Sequence, residues 1–153
     1  MLYFNFECIT YNIVGATVVL SARREDRLAA IVESCNQIAK EHKSAGLAIS
    51  LPLDVLDLNA QESAVKYVLQ KFGKIDSVVL NAGRTQRNIA IETDLQDTEE
   101  IMRLNFFSYV SLAKLVLPSM IAKKSGQVMI EKSIGRLIPC FQICVCLFGN
   151  SLL

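Results

Sequence analysis

Short apolar runs rich in β-branched residues alternate with amphipathic segments along most of this chain, and this alternation constrains the fold more than any other feature. The runs cover residues 16–21, 47–51, 76–80 and 127–131. The segments between them carry apolar residues three or four positions apart, which is the spacing of one helix face. Strands that alternate with helices predict right-handed crossovers and a parallel sheet with helices on both faces.

Cap signals bound the helical segments. A helix over 25–45 is expected to end at Gly46, because glycine readily adopts the left-handed conformation that follows many helix C-termini. Capping boxes predict two further helix starts, since a polar N-cap and a Glu three residues later satisfy free backbone N–H groups. These boxes are Asn59 with Glu62 and Asp97 with Glu100.

Composition excludes several classes of protein. A formal net charge of +1 over 153 residues lacks the electrostatic footprint of a nucleic-acid binder, so no nucleic-acid partner is expected. The 52% hydrophobic content excludes disorder. Five irregularly spaced cysteines do not form a disulfide framework and indicate reduced thiols in an intracellular compartment, cytoplasmic or associated with the endoplasmic reticulum.

The C-terminal tail leaves one alternative open. Residues 137–153 contain no charge, and about 17 residues is the short limit for a membrane-spanning helix. Membrane association is therefore the less favoured alternative to parallel strands that are buried on both faces. The tail cysteines Cys140, Cys144 and Cys146 lack the spacing of a structural zinc site, so no metal is predicted.

Short motifs follow the expected strands, at the carboxyl ends where sheets of this kind bind ligands. They are Val-Val-Leu-Ser-Ala-Arg-Arg at 18–24, Leu-Pro-Leu-Asp-Val at 51–55, Asn-Ala-Gly-Arg-Thr-Gln-Arg at 81–87 and Leu-Asn-Phe-Phe-Ser at 104–108. In order and spacing, this set resembles the short-chain dehydrogenase/reductase family over about residues 15–135. The resemblance implies a partial Rossmann-like α/β fold, a doubly wound parallel sheet that lacks the usual first strand and the last strands.

The resemblance also implies a cofactor edge. Ser21, Arg23 and Arg24 follow the first expected strand, where an arginine accommodates the 2′-phosphate of NADP and an acidic residue would favour NAD. Asp54 is assigned to the adenine amino group, and the turn Asn81, Ala82 and Gly83 flanks the cofactor. Plain alternatives remain: a solvated helix start for the arginines, and turn chemistry for Asp54 and for 81–83.

Two family catalytic positions are matched and two are not. By resemblance, Asn105 belongs to the proton relay and Ser133 hydrogen-bonds the substrate carbonyl. The alternatives are that Asn105 is satisfied by helix packing and that Ser133 is only a loop serine after a strand. The family tyrosine and lysine should follow Ser133. The last tyrosine here is Tyr109 and the last lysine is Lys132. No glycine-rich turn precedes Gly15, so weak or lost NADP binding is expected.

These observations predict three segments: a divergent 1–14, a partial dinucleotide-binding domain over 15–135 and a divergent apolar tail over 136–153. The expected function is NADP-dependent oxidation or reduction of a small-molecule carbonyl or alcohol by descent, in a truncated and catalytically impaired chain. The alternative is a non-catalytic interaction protein that forms a homodimer or pairs with a full-length relative through the long helix 97–123.

Overall fold

A computed structural model of the chain describes residues 2–86, 89–130 and 143–146. In chain order the elements are α1 (Leu2–Ile13), β1 (Thr17–Ser21), α2 (Glu25–Glu41), β2 (Leu47–Ser50), α3 (Leu58–Phe72), β3 (Ser77–Leu80), a 3₁₀ turn (Ala90–Glu92), α4 (Leu95–Met102), a π-helical segment (Arg103–Phe107), α5 (Ser108–Lys123), β4 (Gln127–Ile130) and β5 (Ile143–Cys146). The four predicted strands are present, each within one residue of its expected limits.

Aspartates cap two helices slightly earlier than the capping boxes predict. The Asp57 carboxylate accepts hydrogen bonds from the N–H groups of Asn59 and Ala60, so α3 begins at Leu58. Asp94 accepts from the N–H of Gln96 and caps α4. The assignments of Asn59 and Asp97 as N-caps were therefore wrong, because an aspartate two or three residues upstream reaches the same free N–H groups.

The end of α2 also differs from the prediction. The helix ends at Glu41, and Lys43 takes the left-handed conformation at φ 53°, so Gly46 is not its cap. Gly46 instead lies against α1. A Cβ at this position would overlap the backbone carbonyl of Asn12, so the glycine lets the end of α1 approach the start of β2.

The sheet has the strand order β2-β1-β5-β3-β4. β1 pairs parallel with β2, and β3 pairs parallel with β4, which confirms the α/β class, but the five-stranded sheet as a whole is mixed and not purely parallel as predicted. The central position belongs to β5, which runs antiparallel to both neighbours and places Val145 opposite Val19. Residues 143–146 of the predicted tail thus form the central strand, in register with β1, and the remainder of 137–153 lies outside the described residues.

Two apolar layers enclose the sheet. Side chains of β1 alternate between them: Val18 and Leu20 pack with Cys8 of α1 and Cys35 of α2, whereas Val19 packs with α3 and α5. The continuous helical run from α4 to α5 is long and apolar enough, by length and composition alone, to cross a membrane. Its residues Leu112 and Val116 are buried in the second layer, whereas Phe106, Phe107 and Leu117 are exposed.

Cys8 and Cys35 are buried thiols in the first layer. Burial, together with the smaller effect of the nearby Cys8, raises the pKa of Cys35 to about 11. The folded protein therefore holds this proton more tightly than the unfolded chain, whose ordinary pKa is 9.0. The stabilising contribution is complete below the ordinary pKa and is lost as the pH rises through about 11.

This titration predicts a stability loss of about 2 kcal/mol between about pH 8 and pH 10.5. Urea unfolding of the wild type and of Cys35→Val at both pH values measures it. The variant should lose less stability than the wild type over the same interval, because position 35 no longer titrates. An equal loss in both proteins would show that Cys35 is not the cause.

Candidate cofactor site

The parallel strands end at one edge of the sheet, here called the carboxyl edge. Ser21, Ser50, Leu80 and Ile130 are the last residues of β1 to β4, and the parallel registers bring Leu20 beside Ser50 and Leu80 beside Ile130. The predicted cofactor residues follow three of these ends directly. The fold therefore brings the segments 21–24, 51–54 and 81–83 to the same edge, as the sequence predicts.

The end of β1 combines a buried hydroxyl with exposed cations. Ser21 is fully buried, and its Oγ has no hydrogen-bond partner within the described part of the chain. Arg23 and Arg24 are exposed and form no ion pair among the residues that the structure describes. Arg24 is the N-cap residue of α2, but its side chain makes no capping bond. Both guanidinium groups are thus available to an anion.

Asp54 is exposed and takes part in a turn. Its Oδ1 accepts a hydrogen bond of 3.0 Å from the N–H of Leu56, and its carbonyl accepts one of 3.1 Å from the N–H of Asp57. This is the turn chemistry that the sequence allows as the plain alternative. A contact with adenine remains a prediction.

The turn after β3 is held against the long helix. Asn81 and Ala82 are buried, and the Tyr109 hydroxyl donates to the Ala82 carbonyl at 2.5 Å. A Cβ on Gly83 would lie 3.3 Å from the Asn105 Oδ1, which is closer than side chains normally pack. Glycine therefore permits the close approach of this turn to the helix.

Asn105 lies within the π-helical segment, and its side-chain amide hydrogen-bonds both the backbone N–H and the backbone carbonyl of Arg84. Its Oδ1 accepts from the N–H of Arg84 at 3.0 Å, and its Nδ2 donates to the carbonyl of Arg84 at 2.8 Å. The Arg84 guanidinium pairs with Glu100 at 2.9 Å. π-Helical insertions often occur at functional sites. Here the segment presents an amide that fixes the path of the chain after Gly83.

Gln61 contributes to the same region and was not found by sequence analysis. It is fully buried on α3, and its Nε2 donates to the carbonyls of Val55 at 2.6 Å and Ser108 at 3.3 Å. Ser108 follows the π-helical segment directly. Gln61 therefore joins the loop before α3 to the start of α5. The only available signal was a polar residue on the apolar face that Val65 and Val68 continue.

A Tyr-x-x-x-Lys spacing does occur, but away from this edge. Lys71 Nζ donates to Tyr67 Oη at 2.9 Å on the exposed side of α3. The helix begins at the carboxyl edge and ends at Phe72, so this pair lies toward the opposite edge, where β3 begins. It does not join the cofactor residues. Ser133 lies outside the described residues, and its role stays a prediction.

The residues present fit one half of an NADP molecule. The exposed guanidinium groups of Arg23 and Arg24, which have no ion-pair partner among the described residues, suit the 2′-phosphate of the adenosine ribose, whereas the Ser21 hydroxyl is fully buried. The pyrophosphate half fits less well. Its usual cradle is the carboxyl end of a central parallel strand, but β5 runs in the opposite direction and presents its first residue, Ile143, beside Ser21.

Comparisons with known proteins agree with this geometry. The family model described as short chain dehydrogenase matches residues 8–145, so the chain belongs to the short-chain dehydrogenase/reductase family. It is 43% identical over 124 residues to mouse dehydrogenase/reductase SDR family member 7, covering 80% of this chain and 36% of the relative. Identity to the human protein of that name is 40% over 123 residues, covering 79% of this chain and 35% of the relative.

A solved structure extends the likeness. The alcohol dehydrogenase of the archaeon Thermococcus sibiricus, complexed with 5-hydroxy-NADP, superimposes with a TM-score of 0.70 at 27% identity. The match covers 89% of this chain and 57% of that enzyme. The family resemblance and the Rossmann-like class are thereby confirmed. The chain spans roughly a third of the length of its curated relatives, 36% of the mouse protein.

Proposed function

We propose that this chain is an NADP-type short-chain oxidoreductase by descent, which binds its cofactor weakly and is impaired in hydride transfer. The supporting observation is the end of β1, where Arg23 and Arg24 are exposed and unpaired among the described residues. Family membership supports the coarse class of oxidoreductase. NADP as the preferred cofactor and a carbonyl or alcohol as the substrate belong to the proposal.

We expect hydride transfer to be impaired because the proton donor that the family uses is not matched in this chain. Hydride transfer to a carbonyl requires a group that donates a proton, and an unperturbed tyrosine near pKa 10 needs a neighbouring lysine to do so at neutral pH. In this chain the Tyr67–Lys71 pair is bonded but lies away from Asn105 and the cofactor residues. The segment that follows Ser133 contains neither tyrosine nor lysine.

Titration with NADPH, followed by the fluorescence of the reduced nicotinamide or by saturation-transfer NMR, tests the cofactor proposal. We expect weak binding, and Arg23→Asp with Arg24→Asp should lower the preference for NADPH over NADH at least about tenfold, since the arginines favour the 2′-phosphate. Arg27→Asp is the matched control, as it lies on the same exposed helix start. Equal affinity for NADPH in wild type and double variant would contradict the assignment.

Activity is measured separately. With steroid and retinoid-like carbonyls, the oxidation of NADPH should not exceed the background rate. Turnover at an ordinary enzymatic rate, on the order of 1 per second or faster, would show that another residue replaces the tyrosine.

An exposed apolar face favours the second candidate, a non-catalytic interaction protein. Phe106 and Phe107 are 51% and 58% exposed and stack edge to face with their ring centres 5.3 Å apart. Val110 and Leu117 continue the exposed face along α5. Phe107 also lines an open groove of about 440 Å³ with Met102. Isolated exposed apolar residues are common, but a contiguous row indicates a contact surface.

Under this candidate, the chain forms a dimer with itself or with a full-length relative. Co-purification with a tagged full-length relative and light scattering of the isolated chain measure the two possibilities. Phe106→Ser with Phe107→Ser should weaken association at least about tenfold. Ile91→Ser is the matched control, because Ile91 is 91% exposed but lies outside the long helix. A monomer that captures no relative would exclude this candidate.

A further inference from the structure

Lysines collect where helices lead into strands. Two lysines lie at each of the three helix-to-strand junctions that precede β2, β3 and β4, one in the last helical turn and one after the helix. They are Lys40 and Lys43, Lys71 and Lys74, and Lys123 and Lys124. Together they are called the lysine face. Five of the six are exposed, and the Lys74 side chain is 34% exposed.

Contacts show that these turns share one edge of the sheet. Lys123 Nζ donates to the carbonyl of Gly73 at 2.7 Å, which joins the ends of α3 and α5. The registers place Thr17 beside Leu47 and Ser77 beside Gln127, so β1 to β4 all begin at this edge. Four strand spacings separate β2 from β4, which is a width of about 19 Å.

The charge at this edge is strongly one-sided. Among the described residues, Glu41 and Asp76 are the acidic groups that accompany the six lysines, and Asp76 pairs with Lys74 at 2.9 Å. Acidic residues instead concentrate at the carboxyl edge and the starts of its helices, such as Glu25, Asp57 and Asp94. The carboxyl edge also carries cations such as Arg23 and Arg24, so the two edges differ in the balance of charge, and only at the lysine face do described cations clearly outnumber acidic groups.

Helix stabilisation explains only part of the lysine face. Lys40, Lys71 and Lys123 lie in last helical turns, where a cation is favoured by the helix dipole. Lys43 and Lys124 lie beyond the helices, both with left-handed backbone at φ 53°, a conformation that glycine or asparagine adopts at lower cost. Turn geometry therefore does not account for a lysine at either position.

Apolar side chains are interspersed with these cations. Val14, three residues before β1, is 54% exposed, Leu47 at the start of β2 is 46% exposed, and Ile121 at the end of α5 is 71% exposed. A surface with both cations and exposed aliphatic groups suits an anionic bilayer, whose headgroups attract lysine and whose acyl boundary accepts apolar side chains. A nucleic acid would offer no partner for the aliphatic groups but could stack on aromatic ones.

We propose that the lysine face binds peripherally to anionic lipid bilayers, with Val14, Leu47 and Ile121 entering the headgroup boundary. This orientation directs the carboxyl edge and its cofactor residues away from the lipid. It is independent of the proposed oxidoreductase function, since it involves the opposite edge of the sheet.

Flotation with phosphatidylcholine vesicles that contain about 30 mol% phosphatidylserine tests the proposal at about 0.1 M salt. The test variant is Lys43→Asn, Lys71→Gln and Lys124→Asn, in which asparagine suits the two left-handed positions. The control is Arg27→Gln, Arg103→Gln and Lys114→Gln, which removes the same net charge elsewhere. The test variant should lose at least about tenfold in partition, while the control stays within about twofold.

A further variant examines the apolar contribution. Ile121→Ser should lower partition severalfold without changing its dependence on salt. Circular dichroism checks that each variant is folded. We expect that it is, because substitutions of exposed residues usually change stability little.

Four results would overturn the proposal. They are absence of binding to the anionic vesicles, equal binding to pure phosphatidylcholine, an equal loss in the control variant, and tighter binding to a homopolymeric RNA than to vesicles of equal charge. The last result would assign the lysine face to nucleic acid.

Discussion

Replacing Val145 by proline should abolish the cooperative unfolding transition of this chain. Val145 lies on the central strand β5, opposite Val19 of β1, and β5 is the only described link between the β2-β1 and β3-β4 pairs within the sheet. Proline has no N–H to donate to the ladder and is confined to edge strands, strand starts and bulges, so a central strand does not accommodate it. Urea unfolding followed by circular dichroism should show a broad transition with a lower midpoint.

Val145→Ala is the matched control, because it shortens the side chain and keeps the N–H. Its transition should remain cooperative. Hydrogen exchange gives a second measurement: in Val145→Pro, the amides of β1 should exchange much faster than in Val145→Ala. If the proline variant unfolds with the midpoint of the alanine variant, the central position of β5 is wrong.

Gln61→Ala should have the next largest effect, a loss of about 2–3 kcal/mol in the free energy of unfolding, after allowance for the removal of Oε1, which is buried without a partner among the described residues. The substitution removes the donor that reaches the carbonyls of Val55 and Ser108, and it leaves a void at a fully buried position. Buried carbonyls without a donor and cavities each destabilise a fold. Thermal or urea unfolding measures the loss.

Gln70→Ala is the matched control, since Gln70 is exposed on the same helix. It should change stability by no more than about 0.5 kcal/mol. A local readout distinguishes this role from general destabilisation. The backbone N–H of Arg84 donates to Asn105, which lies in the π-helical segment directly before Ser108. In Gln61→Ala, hydrogen exchange of this N–H should therefore accelerate more than that of the β2 amides. Uniform acceleration throughout the chain would contradict the positional role.

Periodicity and strand-end motifs predicted much of this fold because both depend on local sequence. The run at 77–80 is buried on both faces, and the residues after β1 and β3 are at the predicted edge. Helix starts were placed late because several polar residues in succession can cap, and only geometry shows that Asp57 and Asp94 do so.

Long-range pairing could not be predicted. Nothing in Ile143–Cys146 indicates a strand at the centre of the sheet, because its partners Thr17–Ser21 lie at the other end of the sequence. The π-helical segment has no motif of its own, and its effect appears only in the pairing of Asn105 with Arg84. Gln61 resembles any polar residue on a helix until its two carbonyl partners are known.

The position of β5 also determines when the sheet can form during synthesis. The β2-β1 and β3-β4 ladders can assemble while the chain is still being translated, but each then carries an unpaired edge. Those edges are joined only after residues 143–146 have left the ribosome. Until then the nascent chain exposes two open strand edges that can pair with other chains, so its yield of folded protein should depend on chaperones.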